Sequence, residues 1–250
     1  MKQLKNIKKK LKWEKYYDPD FNWHNELFYM NFIFSEEFID EFKNKIDWEQ
    51  LSILCIFSEK QLIKYKDKVD WYIAVGIQKI NETIIRECLI DLNDSCKRSI
   101  FQSMFEFNKL SEAFLEELIN IDPNEDFVDW YYISRYQTLS EDFIRKYKDK
   151  VYWKYISTNQ KLSEDFIREF KKKVNWPAIS CYQKLSEDFI REFQDNVYWG
   201  YISHYQILSE DFIREFKDRL YLPYILEYQT LSEDFSRELD NYFTSHYSGE

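Results

Sequence analysis

The sequence predicts an all-α solenoid of about nine short helix-turn-helix repeats. Three observations predict it. The phrase Leu139-Ser-Glu-Asp-Phe-Ile-Arg returns at Leu162, Leu185, Leu208 and, with Ser236 in place of the Ile, at Leu231, always at the same interval. Looser copies start at Phe34, Phe57, Ile80 and Leu110. Gly and Ala, three of each, are too scarce for tight hairpins or phosphate-cradling loops. A short fixed period means units that contact mainly their neighbours and must stack to bury their apolar faces.

The elements follow in order. Residues 1–33 read as a basic tail and a capping helix, with Asn22-Trp23 resembling a lone second helix. In each repeat the first helix starts after a capping residue: Ser35, Ser58, Asn81, Ser111, Ser140, Ser163, Ser186, Ser209 or Ser232. Glu follows every one of these caps, where the helix dipole favours negative charge. Leu139 before the cap and Ile144 in the next turn make a hydrophobic staple. Phe143, Ile144, Tyr147 and Val151 mark one face of a helix of about three turns. Glu141 stands one helical turn before Arg145, an order that stabilises an exposed helix face by about 0.2–0.5 kcal/mol.

A short second helix opens at Asp47-Trp48, Asp70-Trp71, Asp129-Trp130 and Asn175-Trp176, a capping residue followed by a large apolar one. Pro177 and Pro223 fall in its first turn, where no N–H is needed. The regular interval breaks twice: the steps from Ile80 to Leu110 and from Leu110 to Leu139 are both longer than the rest. The second irregular copy carries the polar loop Asp122-Pro-Asn-Glu-Asp126. The organisation is therefore a tail and cap at 1–33, N-terminal repeats at 34–109, and regular C-terminal repeats with a terminal cap at 110–250, in one continuous solenoid.

Composition narrows the function. The chain has 250 residues, 44% hydrophobic and 20% aromatic, enough for a continuous core. Net charge is −10, but residues 1–17 hold seven Lys and one Glu, so the remainder carries about −16. An acidic body repels a phosphate backbone and argues against direct nucleic-acid binding. Cys55, Cys88, Cys96 and Cys181 form no CxxC pair, zinc pattern or disulfide framework; they read as reduced thiols in a cytoplasmic protein. No apolar run reaches the ~18 residues of a membrane span, and the start of the chain lacks a secretory apolar segment.

The short second helix gives the unit an architecture similar to leucine-rich variant solenoids, though not their residues. The wording Leu-Ser-Glu-Asp-Phe-Ile-Arg-Glu-Phe, then Trp-x-Tyr-Ile-Ser-x-Tyr-Gln, resembles repeats in proteins of large DNA viruses, bacteriophages and AT-rich bacteria. It covers about residues 34–247. That resemblance implies no activity. It implies a place in virus–host conflict, with a host defence or regulatory protein as partner, held by steric blockade.

Positions that stay fixed between copies serve the stack, and positions that vary are free for a partner. The residue after Ile-Ser reads Arg135, Thr158, Cys181, His204 and, in a copy reading Ile-Leu, Glu227. The residue after Trp (Leu222 in the last copy) reads Tyr131, Lys154, Pro177, Gly200 and Pro223. Both series recur once per repeat, so each predicts a stripe along one face. The candidate partner-binding set is Arg135, Thr158, Cys181, His204, Glu227, Tyr131 and Lys154. The repeated Gln137, Gln160, Gln183, Gln206 and Gln229 read as a ladder serving helix-end carbonyls rather than as base readers. The tail, with Leu4, Ile7 and Leu11 among Lys, is a candidate amphipathic helix for an anionic surface or for the open end of the first unit.

Catalysis finds no support: His24, His204 and His246 are isolated, and no catalytic, metal or cofactor motif is present. Asp122, Asn124, Asp126 and Asp129 lack the Gly and Glu spacing of a calcium loop. The expectation is a non-enzymatic protein-binding solenoid. Its rivals are an acidic nucleic-acid mimic that fills a basic channel and a scaffold that sequesters a small ligand between repeats.

Overall fold

The structure, a computed structural model, describes residues 16, 18, 36–90, 92 and 97–247. The readings of the tail, of Asn22-Trp23, and of His24, Phe34, Ser35 and Cys96 lie outside those residues. The chain divides into two compact units, residues 1–129 and 130–250. Among the described residues it is all-α, with seventeen α-helices and no strand. Within each unit short helices pack on their counterparts one repeat later, which is the stacking of a helical-repeat solenoid.

The first unit holds α1 (Glu36–Phe42), α2 (Trp48–Leu54), α3 (Glu59–Lys64), α4 (Trp71–Ile77), α5 (Glu82–Ile84), α6 (Lys97–Phe107) and α7 (Glu112–Ile121). Helix α2 packs on α4, and α4 on α6. In the long copy that starts at Ile80, α5 runs into a π-helical turn, Ile85–Leu89, which buries Cys88 against the carbonyl of Leu62. The extra length goes into α6, eleven residues in place of the usual seven. In the long copy that starts at Leu110, α7 lengthens instead, and Asp122 closes the loop behind it. Its buried carboxylate accepts from the backbone amides of Asp126, Phe127 and Val128 at 2.9, 2.9 and 2.6 Å. Asp122 is thus the knot of a turn, with Glu125 at φ 59° inside it.

The second unit is regular. Its first helices are α9 (Glu141–Lys146), α11 (Glu164–Glu169), α13 (Glu187–Glu192) and α15 (Glu210–Glu215). Its second helices are α8 (Trp130–Tyr136), α10 (Trp153–Asn159), α12 (Trp176–Tyr182), α14 (Trp199–Tyr205) and α16 (Leu222–Tyr228). The second helices pack in chain order, and α17 (Glu233–Tyr247) closes the series against α16. There Phe235 and Leu239 are buried, and Tyr242 donates to Asp218. The terminal copy is one 15-residue helix rather than a helix-turn-helix.

The first helix is shorter than the apolar spacing predicts. It has six residues, and a turn carries the chain on to Val151, Val174, Val197 or Leu220. After that turn the Trp153 indole N–H takes the carbonyl of Lys148 at 2.9 Å, and Trp48, Trp71, Trp176 and Trp199 make the corresponding bond in their own repeats. The indole ties the second helix to the turn before it but does not set the length of the first helix, since α15 also has six residues where Leu222 replaces the Trp.

Three ladders join one repeat to the next. Oε1 of Gln183 accepts from the amide of Leu162 at 3.0 Å, and its Nε2 donates to the carbonyls of Gln160 and Ser157 at 2.8 and 2.9 Å. Gln160, Gln206 and Gln229 repeat the pattern. The Ser157 hydroxyl accepts from the amide of Asn175, and Ser134, Ser180 and Ser203 do the same for Tyr152, Tyr198 and Tyr221. Finally, the Glu after each cap reaches forward. Glu141, Glu164, Glu187 and Glu210 accept from the amides of Ser163, Ser186, Ser209 and Ser232 at 2.6–2.7 Å. These Glu residues cap the neighbouring helix as well as favouring their own dipole. Between the ladders lie Phe189 and Ile190 and their counterparts, fully buried, each burial contributing about 1.5–3 kcal/mol.

The exposed charges follow the same logic. Arg191 pairs with Asp188 at 3.0 Å and with Glu215 of the next repeat at 2.9 Å. Its distance to Glu187, the expected i,i+4 partner, is 3.6 Å. The cross-repeat pair is the closer one because Glu187 is already committed to the Ser209 amide.

Candidate functional surface

Once the fixed residues are consumed by stacking, the outward faces of the second helices remain. In the second unit these faces carry tyrosine. Tyr152, Tyr182, Tyr198, Tyr201, Tyr205, Tyr221 and Tyr228 are 43–63% exposed. They recur at three positions of the unit: just before the Trp, just past it, and at the end of the second helix. The first of these positions is a helix N-cap. Where Asn175 stands, its side chain caps the amide of Ala178; where Tyr152, Tyr198 and Tyr221 stand, no side chain caps the helix. A capping contact has been replaced by an exposed ring.

The candidate residues lie on this ridge, and five of the seven fall in two aromatic clusters. Arg135 is exposed, with its guanidinium over the rings of Tyr136, Tyr155 and Tyr131 at 5.0, 5.4 and 5.7 Å. It donates to the Tyr131 hydroxyl at 2.6 Å, and Tyr155 donates to the same oxygen at 3.1 Å. That bond from Arg135 to Tyr131 holds the guanidinium pKa above its ordinary value, and the bond to Tyr131 likewise raises Tyr155. Lys154 is exposed, and its carbonyl accepts from the half-buried Thr158 hydroxyl.

In the second cluster His204 lies between two parallel rings, Tyr205 at 4.2 Å and Tyr228 at 4.1 Å, with Tyr224 at 4.9 Å. Its Nδ1 is buried and has no hydrogen-bond partner. Half-buried Cys181 stands beside the Tyr205 hydroxyl and raises that phenol's pKa. Exposed Glu227 hydrogen-bonds Tyr228 and raises it too. The structure therefore brings Arg135 together with Tyr131, and His204 close to Cys181 and Glu227 through shared tyrosines. Lys154 and Thr158 share a helix turn and have no part in either cage.

Between the clusters the ridge drops to Asn175, Pro177, Ala178 and Cys181. A shallow cleft of about 560 Å³ opens beside it, lined by Val174–Pro177 and Asp195–Trp199. Asn196 explains its position. At the flanking interfaces Lys173 bridges to Asp149 and Arg219 to Asp195, and Asn196, at the same point of its repeat, makes no such bridge.

The first unit presents a different ridge. The exposed side chains of α2 and α4 include Ile53, Leu54, Tyr72 and Ile77. Among the described residues no three His, Cys, Asp or Glu side chains form a metal-binding group, and no helix is long and apolar enough to cross a membrane.

The tyrosines just before and just past the Trp are the part of the surface that comparison of variable positions overlooks. Their signal was the recurrent Tyr-Trp-x-Tyr spelling, which reads as core until burial is known.

No family model matches the chain, and it matches no curated protein and no solved structure.

Proposed function

We propose that the protein is a non-enzymatic protein-binding scaffold, and that the tyrosine ridge of the second unit is its recognition surface. One observation carries the reading: seven tyrosines stay about half exposed on one row of helices whose fixed residues are fully engaged in stacking. Amphipathic rings offer large contact area at small conformational cost, which is why they are enriched where proteins meet. Candidate residues Arg135, His204 and Glu227 sit in this surface, so variation between repeats changes its chemistry without touching the stack.

The test pairs capture with stability. The full chain and a variant with Arg135→Ala, His204→Ala and Glu227→Ala are used to capture partners from a lysate of the native cells. The reading expects the variant to lose a partner while its melting curve stays close to that of the parent. Undiminished capture by a variant that melts normally contradicts it.

A second reading is an acidic surface that fills the basic channel of a nucleic-acid-binding protein. It draws on Asp142, Asp165, Asp188, Asp211 and Asp234, whose side chains are 93–97% exposed, one per repeat. Each lies within ion-pair distance of an Arg on the same helix, which partly neutralises the row. Binding that collapses as salt rises favours this reading; binding that persists favours the ridge.

A further inference from the structure

The two aromatic clusters differ in what they already hold. The first contains its own cation, Arg135, spread over three tyrosine rings and bonded to a fourth group, the Tyr131 hydroxyl. The second has no cation of its own: α14 reads WGYISHY and α16 reads LPYILEY, without Lys or Arg. At the position of Tyr131 it has Gly200, where an added Cβ would meet nothing within 4 Å. At the position of Arg135 in the following repeat it has exposed Glu227.

Charge follows the same division. Residues 130–184 carry twelve Lys or Arg against six Asp or Glu, a net +6. Residues 185–250 carry five against fourteen, a net −9. The aromatic cluster that lacks a cation therefore lies in the acidic stretch of the chain, and Glu227 is the acid carried on its own helices. Guanidinium is the cation best suited to a tyrosine face, being planar and weakly hydrated, and it also binds a carboxylate through two N–H groups.

We propose that the ridge over α14 and α16 takes arginine side chains from a basic, extended segment of a partner protein. The inference rests on the ridge being the recognition surface and names what it recognises. Arg135 is the internal example of the contact. Tyr201, Tyr205 and Tyr228 supply rings, Glu227 supplies the carboxylate, and the space beside Gly200 admits the incoming group. Packed helices lie about 8–10 Å apart. Three residues of a polyproline II chain make one turn of about 9 Å, which returns residue i+3 to the same side as residue i. One arginine at every third residue would therefore meet one repeat after another.

The experiment uses the full chain and four labelled probes read by fluorescence anisotropy. They are a peptide with Arg at every third residue, its Lys counterpart, a peptide of the same composition with the Arg residues contiguous, and a single-stranded oligothymidylate. The spaced Arg peptide is expected to bind about tenfold more tightly than the Lys peptide, the scale of one desolvated cation–ring contact. It should also outbind the contiguous peptide. Glu227→Lys, a change at an exposed position, should abolish the preference without altering the melting curve. Tyr201→Ala with Tyr228→Ala should weaken binding, and Tyr152→Ala, whose ring meets Tyr131 of the first cluster edge-on at 5.7 Å, should not. Equal affinity for Arg and Lys peptides, indifference to Glu227→Lys, or binding of the oligothymidylate in their place overturns the proposal. If a captured partner still depends on the ridge when the Arg peptide fails, only the guanidinium inference falls; if neither depends on the ridge, the scaffold reading falls with it.

Discussion

Gln183 and Leu162 sit at opposite ends of one repeat and share a buried hydrogen bond of 3.0 Å, from the Leu162 amide to the Gln183 side-chain oxygen. The same side chain donates to the carbonyl of Gln160 at 2.8 Å. One amide thus satisfies a donor and an acceptor that the turn between repeats leaves open. A primary amide carries its acceptor oxygen and its two N–H donors on separate atoms, so it can serve both backbone groups at once.

Gln183→Ala therefore removes the partner of one buried backbone donor and two buried carbonyls. The expected loss is about 1–3 kcal/mol in urea unfolding. Gln183→Glu keeps the acceptor, loses the donor and places a charge in a buried site, so it should cost more than the alanine. A neutral result for both would mean that the ladder does not hold the stack.

Ile190→Ala removes a side chain that is fully buried between repeats, and about 2–5 kcal/mol should be lost. Ile190→Val should cost about 0.5–1.5 kcal/mol. The check is the unfolding midpoint of each variant at constant denaturant dependence.

Much of this architecture was legible beforehand, because a repeated sequence compares itself. The Ser caps and the short second helix are local signals, and the structure contains them; the Leu and Ile of each expected staple are buried. The bonds of Glu187 to Ser209 and Arg191 to Glu215 were not legible: partners in successive repeats depend on the rise and rotation from one unit to the next, which local pattern does not encode. The first helix also ends earlier than its apolar spacing predicts: Tyr147 and Val151 keep that spacing, yet a turn rather than a helix carries them. On the candidate surface, variable positions marked Arg135 and His204, but the position before the Trp reads as a helix cap at Asp129 and Asn175, which hides the exposed rings of Tyr152, Tyr198 and Tyr221.

Acid sensitivity should show at Glu210, the forward-reaching Glu of the last regular repeat. The Ser232 backbone amide, then its hydroxyl, hold the Glu210 carboxyl below its ordinary value of 4.5. A carboxyl lowered in the folded state contributes in full above the unfolded value and loses that contribution as pH falls through the folded one. The unfolding midpoint should be level above that ordinary value and decline below it. Glu210→Gln retains an acceptor oxygen for the Ser232 amide and should flatten the decline. An unchanged slope would assign the acid sensitivity to other carboxylates.

At the alkaline end Tyr65 is the group to watch. Burial first, then its 2.7 Å bond to Asp40, push its phenol from 10 up to about 12. The folded state therefore favours the protonated phenol. That contribution is complete below the unfolded value and vanishes as pH climbs through the folded one. A spectrophotometric titration of phenolate absorbance should contain a late component that disappears in Tyr65→Phe. Superimposable titrations would contradict the assignment.

The central claim is a division of labour: fixed residues hold one repeat to the next, and the ridge is left for a partner. The unfolding free energy of paired alanine variants tests it most directly. Gln160, Gln206, Ile167 and Ile213 should each cost about 1–5 kcal/mol. Lys154 and Thr158 should stay within about 0.5 kcal/mol of the parent. Ridge variants that unfold the protein as readily as ladder variants would contradict the claim.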